Sequence, residues 1–300
     1  TYLLLRWRNR ANPKVPGVSP LKPYVNGGLV SVIIPAYNEA RKIESVLKSL
    51  DSTIGSPDRV EILVVDAGGS DGTMAIAERV ASAMPHLDIR TNISARGGRG
   101  PTLIAGAEAA RGDVLLFLHG DTTLPDCFDA MVRTELSDEK VLATAFSFHV
   151  DRDEMTKPIA GLSMMEFTVN IRSRFFELPF GDQAMAITKQ RYDALGGFPN
   201  EPIMEDFELV QRLRRCGAAG SGYIKTLPAG AACSARRWHA MSIWRTNLIN
   251  QVIMIMYVYF GYTPAQIYGI YYGTTKGSGA DSPKTKVASK TGAGESTKAE

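Results

Sequence analysis

An imidazole and a carboxylate stand two positions apart in His119-Gly120-Asp121, directly after an apolar run and before Thr122. Both side chains are donors for a divalent cation: carboxylates suit Mg2+ and Mn2+, and imidazole takes Mn2+ more readily than Mg2+. His119 could equally donate a hydrogen bond to a bound ligand. Arg96-Gly97-Gly98-Arg99-Gly100 offers bare backbone N–H groups and guanidinium just ahead of a helical pattern. That combination suits a pyrophosphate, although the same letters would serve a flexible loop. Arg236-Arg237-Trp238 could clamp phosphates with Trp238 packed close by, or form a cationic loop around a buried Trp. A carboxylate pair, Glu205-Asp206, opens a helical run, where the helix dipole alone also favours acids.

The elements that must position these residues are legible from periodicity. Val30 to Ile34 is a β-branched run ended by Pro35, and Ile43, Val46, Leu47 and Leu50 then recur at helix spacing. Val60 to Val65 repeats the strand, after which Asp71 opens a helix carrying Ile76, Val80 and Ala83 on one face. Val114 to Leu118 repeats it again, after a helix around Leu103 to Ala110. Strands that are apolar throughout and alternate with amphipathic helices predict a doubly wound, mainly parallel sheet covered on both faces. Ligands of such sheets bind beyond the carboxyl ends of the strands. Here those ends are Pro35-Ala36-Tyr37-Asn38-Glu39, Asp66 to Gly72 and His119-Gly120-Asp121, three loops facing one cleft. Singly, each has a plainer reading: Ser70 or Asp71 as a helix cap, Glu39 as a first-turn acid. The second half is less regular, with a strand at Val141 to Val150, a helix near Ile159 to Ile171, a short strand around Ala184 to Ile187 and a helix from Asp206 to Arg215.

Taken in order, Val-Ser-Val-Ile-Ile-Pro-Ala-Tyr-Asn-Glu from Val30, Val64-Val65-Asp66, Ser70 to Thr73, Gly112-Asp113 and the acidic strand end at Asp121 resemble glycosyltransferase family 2. The resemblance covers about residues 30 to 272 and is nearest to a subgroup with Leu-His-x-Asp-Thr, here Leu118 to Thr122, and an Arg-Arg-Trp, here residues 236 to 238. It implies a GT-A, Rossmann-like nucleotide-diphospho-sugar transferase fold with C-terminal helices. The activity it implies is metal-assisted, inverting transfer of a sugar from a nucleotide-diphosphate sugar to a hydroxyl acceptor. By the same resemblance Pro35, Ala36, Tyr37, Glu39, Asp66, Arg99, Gly120, Arg236 and Arg237 hold the nucleotide sugar. Gly181, Asp182, Gln183 and Trp238 face the acceptor, and Asp121 with His119 holds Mn2+ or Mg2+. Of the acidic pair Glu205-Asp206, the second serves as the base. Asp66 would accept from the base N–H of uracil or guanine, and a UDP-sugar is the expected donor. The chain departs from the family in one respect, since His119 stands where the first of two aspartates is usual.

Composition sets the outer limits. With 300 residues and 44% apolar content, one large α/β domain is expected over residues 29 to 273. The formal charge of +3 comes from the ends: residues 1 to 38 hold five Lys or Arg and no acid, and the intervening 39 to 273 is net acidic. That distribution does not argue for a nucleic-acid-binding core, and no nucleic-acid partner is expected. Residues 1 to 28 read as a basic arm and Pro/Gly linker, its start either a solvated arm or the end of a removed anchor or targeting segment. Residues 274 to 300 lack aromatics and read as a disordered tail. Cys127, Cys216 and Cys233 form no CxxC pair and fit a reducing compartment: cytoplasm, plastid, or the cytoplasmic face of a membrane. No charge occurs from Thr246 to Thr275, yet Val252 to Phe260 is an apolar run of only nine residues. This predicts a helix packed on the domain or lying in a membrane interface, which would suit a lipid-linked acceptor. A sugar-phosphate nucleotidyltransferase and a silent nucleotide-sugar-binding module are the competing readings. The first would place a Gly-rich Arg/Lys signature where residues 35 to 39 stand; an oxidoreductase would show GxGxxG there.

Overall fold

The computed structural model describes residues 27–153, 155, 158–236 and 243–272. Residues 1–26 of the expected arm, the expected tail, and Arg237 and Trp238 lie outside the described residues.

An eight-stranded sheet runs in the order β3-β2-β1-β4-β7-β6-β8-β5. Its strands are β1 (Val30–Ala36), β2 (Val60–Asp66), β3 (Asp88–Ser94), β4 (Val114–Phe117), β5 (Thr122–Thr123), β6 (Val141–Val150), β7 (Met185–Thr188) and β8 (Tyr223–Cys233). β1 to β4 are mutually parallel, as are β6 and β8, whereas β7 runs antiparallel between β4 and β6. Val30 pairs with both Val60 and Val114, so β1, β2 and β4 start level; β1 and β2 end together at Ala36 and Asp66, and β4 ends three residues sooner, opposite Ile33. Pro35 sits in a central strand without breaking it. The pairing with β4 has ended at Ile33 and Phe117, so no ladder bond on that side needs the missing N–H.

Strand alternation sends Val30, Val32 and Ile34 to one face and Ile33 to the other. The first face is covered by α1 (Ile43–Thr53), α2 (Thr73–Ala83) and α4 (Phe128–Leu136), which bury Leu47, Val80 and Phe128 against it. The second is covered by α3 (Arg99–Ala109), α6 (Lys189–Ala194) and α7 (Glu205–Ala218), through Leu103, Tyr192 and Leu213. Each such fully buried large side chain contributes about 1.5–3 kcal/mol of transfer free energy. α5 (Leu162–Phe176) lies over β6 and β8 and is inverted in polarity. Glu166 and Asn170 bond the β6 backbone at Val150 and Phe148, while Met164, Phe167 and Phe175 are exposed. α8 (Ile243–Phe260) and α9 (Pro264–Tyr272) pack Ile253 and Ile267 against Met204 and Phe207 at the start of α7.

The differences from expectation have local causes. α5 starts at Leu162, three residues later than expected, because Gly161 takes a left-handed conformation. α3 begins at Arg99 and not at Leu103, bringing its arginine into the first turn. β3 was not anticipated because it is a half-exposed edge strand with charged and polar residues. β8 was hidden by Pro228, which a bulge between Leu227 and Gly230 accommodates.

Candidate active site

The strand ends converge as expected. The Ala67 N–H donates to the Ala36 carbonyl, and Asn38, at φ 55°, accepts the Ser70 N–H on its side chain at 2.9 Å. The loops after β1 and β2 are thereby stapled together. Asp66 accepts the Gly68 N–H at 2.7 Å and lies 3.2 Å from the Arg96 guanidinium. Asp71, one residue ahead of the N-cap Gly72, accepts the N–H groups of Thr73 and Ala40 and so ties the start of α2 to the neighbouring loop. Glu39 precedes α1 by four residues and is no first-turn acid. Its two oxygens accept from Arg236 Nη2 at 3.0 and 3.1 Å.

Beyond β4, the Asp121 carbonyl accepts the Ser234 N–H at 3.0 Å, and β5 pairs with the end of β8. This brings Arg236 Nη2 to 3.8 Å from the Asp121 carboxylate. Gly120 lets Glu39 close in, since a Cβ there would lie 3.2 Å from Glu39 Cγ. Burial pushes the Glu39 carboxyl up; Arg236 pulls it down, and Asp121 and Asp71 push it further up, leaving it raised.

The carboxylate pair sits at the start of α7, after Met204 at φ 72°. Glu205 is fully buried and binds the Arg99 guanidinium, which also lies 3.3 Å from Asp206. Burial raises the Glu205 carboxyl, and the neighbouring Asp206 charge adds to this against the pull of Arg99. Burial also acts to raise Asp206. There, however, Arg99, the Gly181 N–H at 2.9 Å, the Phe207 N–H at 2.7 Å and His119 prevail, holding it below the ordinary aspartate range. Two adjacent acids are therefore driven apart, one toward its protonated and one toward its ionised form. Gly181 separates His119 from Asp206: a Cβ at that position would meet His119 Nε2 at 2.8 Å and Asp206 Oδ2 at 3.1 Å.

A cavity of about 190 Å3 gathers Arg99, His119, Asp121, Gly181, Asp182 and Asp206. Its far wall is apolar, formed by Ile253 and Met254 of α8 and Tyr271 and Tyr272 of α9. Pro35, Ala36, Tyr37, Glu39, Asp66, Gly120 and Arg236 do not line this cavity; of these, Arg236 approaches Asp121 and carries Glu39 with it. Gln183 is fully buried, bonded to Ser173 and the Phe146 carbonyl, and shapes the loop from behind. Arg99, expected to meet the nucleotide, lines the cavity and pairs with Glu205 and Asp206, because its place in the first turn of α3 faces the start of α7. Sequence reasoning missed Arg172, whose guanidinium lies 3.8 Å from the Phe180 ring centroid behind the cavity. Burial lowers its pKa against the pull of Asp182 and Asp206. An arginine within a helix gives no signal of this in sequence. The uncharged run after Thr246 did signal an apolar element, but not that it would wall the cavity.

The metal reading can be tested on the donor set. Among the described residues no three His, Cys, Asp or Glu side chains converge as a preformed cage. Asp121 and His119 both face the cavity, and a carboxylate with an imidazole fits a site completed by ligand oxygens.

A family model described as "Glycosyl transferase family 2" matches residues 31–196, which includes β1, β2, β4 and β7. The chain belongs to glycosyl transferase family 2. As a family 2 member it shares 39% identity over 92 residues with glycosyltransferase AglE of Haloferax volcanii, covering 31% of this chain and 30% of that one. It is 27% identical over 202 residues to 4,4'-diaponeurosporenoate glycosyltransferase of Staphylococcus haemolyticus, covering 62% and 52%. The chain thus spans about a third to a half of these relatives. Among solved structures, the family 2 chain resembles mannosyltransferase PcManGT of Pyrobaculum calidifontis in complex with GDP-Man and Mn2+, with TM-score 0.57, 20% identity and coverage of 90% and 75%. It also resembles glucosyl-3-phosphoglycerate synthase of Mycobacterium tuberculosis in complex with Mn2+, UDP and phosphoglyceric acid, with TM-score 0.51, 18% identity and coverage of 83% and 84%. These likenesses establish the GT-A fold, an α/β sheet that is mostly parallel and flanked by helices.

Proposed function

We propose that this protein transfers a sugar from a nucleotide-diphosphate sugar, a UDP-sugar by expectation, to a hydroxyl acceptor with inversion. The observation that supports this best is the meeting of Asp206 with Asp121 and His119 in one cavity at the carboxyl ends of the parallel strands. Family membership does not favour a nucleotidyltransferase or a silent binding module.

Each residue has a task under this reading. Asp206, ionised and fixed by the Gly181 and Phe207 N–H groups, accepts the proton of the acceptor hydroxyl as it attacks the anomeric carbon. Arg99 pairs with that carboxylate in the cavity wall, and the buried Glu205 anchors Arg99. Asp121, with His119, would hold a divalent cation, whose chemistry when bound is to neutralise the diphosphate leaving group. Mn2+ in two neighbours of the same fold is in line with this. Glu39, Asp66 and Tyr37 would contact the nucleoside, with Pro35 and Ala36 as backbone wall.

The apolar wall of α8 and α9 suits an acceptor that carries an apolar group, such as a lipid-linked one. Val252, Phe260 and Ile270 are exposed on the same two helices and Tyr262 on the turn between them, a surface suited to peripheral membrane contact. Among the described residues no helix is long and apolar enough to cross a membrane. The free cysteines remain in keeping with a reducing compartment.

The test is release of nucleoside diphosphate from a panel of UDP- and GDP-sugars. Asp206→Asn should bind the same donor as the wild type yet lose turnover by about 10²–10⁴-fold, the usual worth of a positioned base. Undiminished turnover in that variant would remove Asp206 from the reaction.

A further inference from the structure

Arg236 is placed where a positive ligand of Asp121 would be. Its Nη2 bonds both Glu39 oxygens and lies 3.8 Å from Asp121 Oδ2. Two carboxylates from different strand ends thus share one guanidinium. The Ser234 N–H bond to the Asp121 carbonyl and the Arg236 N–H bond to Ser234 Oγ hold the arginine's backbone beside them. The side chain itself is about half exposed (49%), so it can swing without disturbing the core.

We propose that Arg236 is an exchange cation. In the ligand-free protein it neutralises Glu39 and Asp121. When a divalent cation and a nucleoside diphosphate enter together, it leaves Asp121 and turns to the diphosphate. This rests on the reading of Asp121 as the metal-holding residue and adds a coupling to it. A cation arriving alone must displace or sit beside a guanidinium. A cation arriving with a diphosphate brings the anion that receives that guanidinium. Binding of metal and nucleotide is then mutually favourable, each raising the affinity for the other by the same factor.

Repulsion between a unit and a double charge about 5 Å apart in water corresponds to a change of about tenfold in affinity. The probes are Mn2+ alone, followed by the spectrum of the free aqueous ion, and Mn2+ with UDP or GDP. Arg236→Ala and Arg236→Gln, both neutral, should bind Mn2+ alone about tenfold more tightly than wild type. UDP or GDP should raise their Mn2+ affinity by a smaller factor than it raises that of the wild type. Arg236→Lys, which keeps the charge, should stay near wild type. Neutral variants that bind Mn2+ alone no more tightly than a wild type whose Mn2+ binding responds to UDP or GDP would overturn the exchange. If no protein binds Mn2+ with or without UDP or GDP, the metal reading of Asp121 fails, and the exchange falls with it.

Discussion

Removing Arg99 should expose how the acidic pair is held. In Arg99→Met the aliphatic stem is kept and the guanidinium lost, leaving Glu205 fully buried beside Asp206 without its cation. Breaking a buried pair this way costs about 3–5 kcal/mol. The Arg99 side chain is 33% exposed, so water screens part of this and the lower end, about 3 kcal/mol, applies. For a domain of this size that is a fall of about 6–12 °C in Tm. Glu205→Gln keeps the shape and removes the stranded charge, so the double variant should recover about 1.5–2 kcal/mol over the sum of the single losses. Urea unfolding of the four proteins at pH 7 measures this cycle. A single Arg99→Met variant within about 0.5 kcal/mol of wild type, or strict additivity in the cycle, would refute the argument that this pair is buried and mutually dependent.

Other consequences can be measured separately. Gly181→Ala should drive a methyl between His119 and Asp206 and reduce turnover at least about tenfold, at a stability cost of about 1–3 kcal/mol; a fully active variant would show that the two side chains are not set by that gap. Asp206 must be ionised to accept a proton, and its folded pKa is lowered, so activity due to it persists as pH falls and is lost only below the ordinary aspartate range. Replacing Arg99 by Met should move that acid limb up by about a unit or more, which pH profiles of kcat/KM would show, and an unmoved limb would detach Asp206 from Arg99. Tyr257→Phe removes the hydroxyl that donates to Glu208 at 2.5 Å and should cost about 1 kcal/mol in thermal unfolding, loosening α8 from α7.

The parallel half of the sheet was legible because each buried strand reads as an unbroken apolar run between amphipathic helices, as at Val60 to Val65. The three polar strand ends were therefore legible as neighbours: the loops after β1 and β2 bond each other and Gly120 abuts Glu39, but only His119 and Asp121 line the cavity. What escaped was set by tertiary context. β3 is an edge strand whose charges face water, and β8 carries Pro228 in a bulge that only its partner β6 makes tolerable. The site shows the same division. Asp121, His119 and Asp206 were found by type and order, but the pairing of Arg99 with Glu205, 106 positions away, has no sequence signature. Nor has the choice between plain and functional readings. Asp71 bonds the first helical N–H from one residue ahead of the N-cap Gly72, Glu39 binds an arginine 197 positions later, and Asp206 is both a first-turn helix acid and a cavity residue.

The most direct test of the central claim is donor binding by calorimetry, titrating UDP- and GDP-sugars into wild type and Asp121→Ala with and without Mn2+. The account predicts that one donor binds the wild type in a metal-dependent manner and that Asp121→Ala loses this dependence. Donor binding that is indifferent to both Mn2+ and Asp121, or absent for every nucleotide sugar, would contradict it.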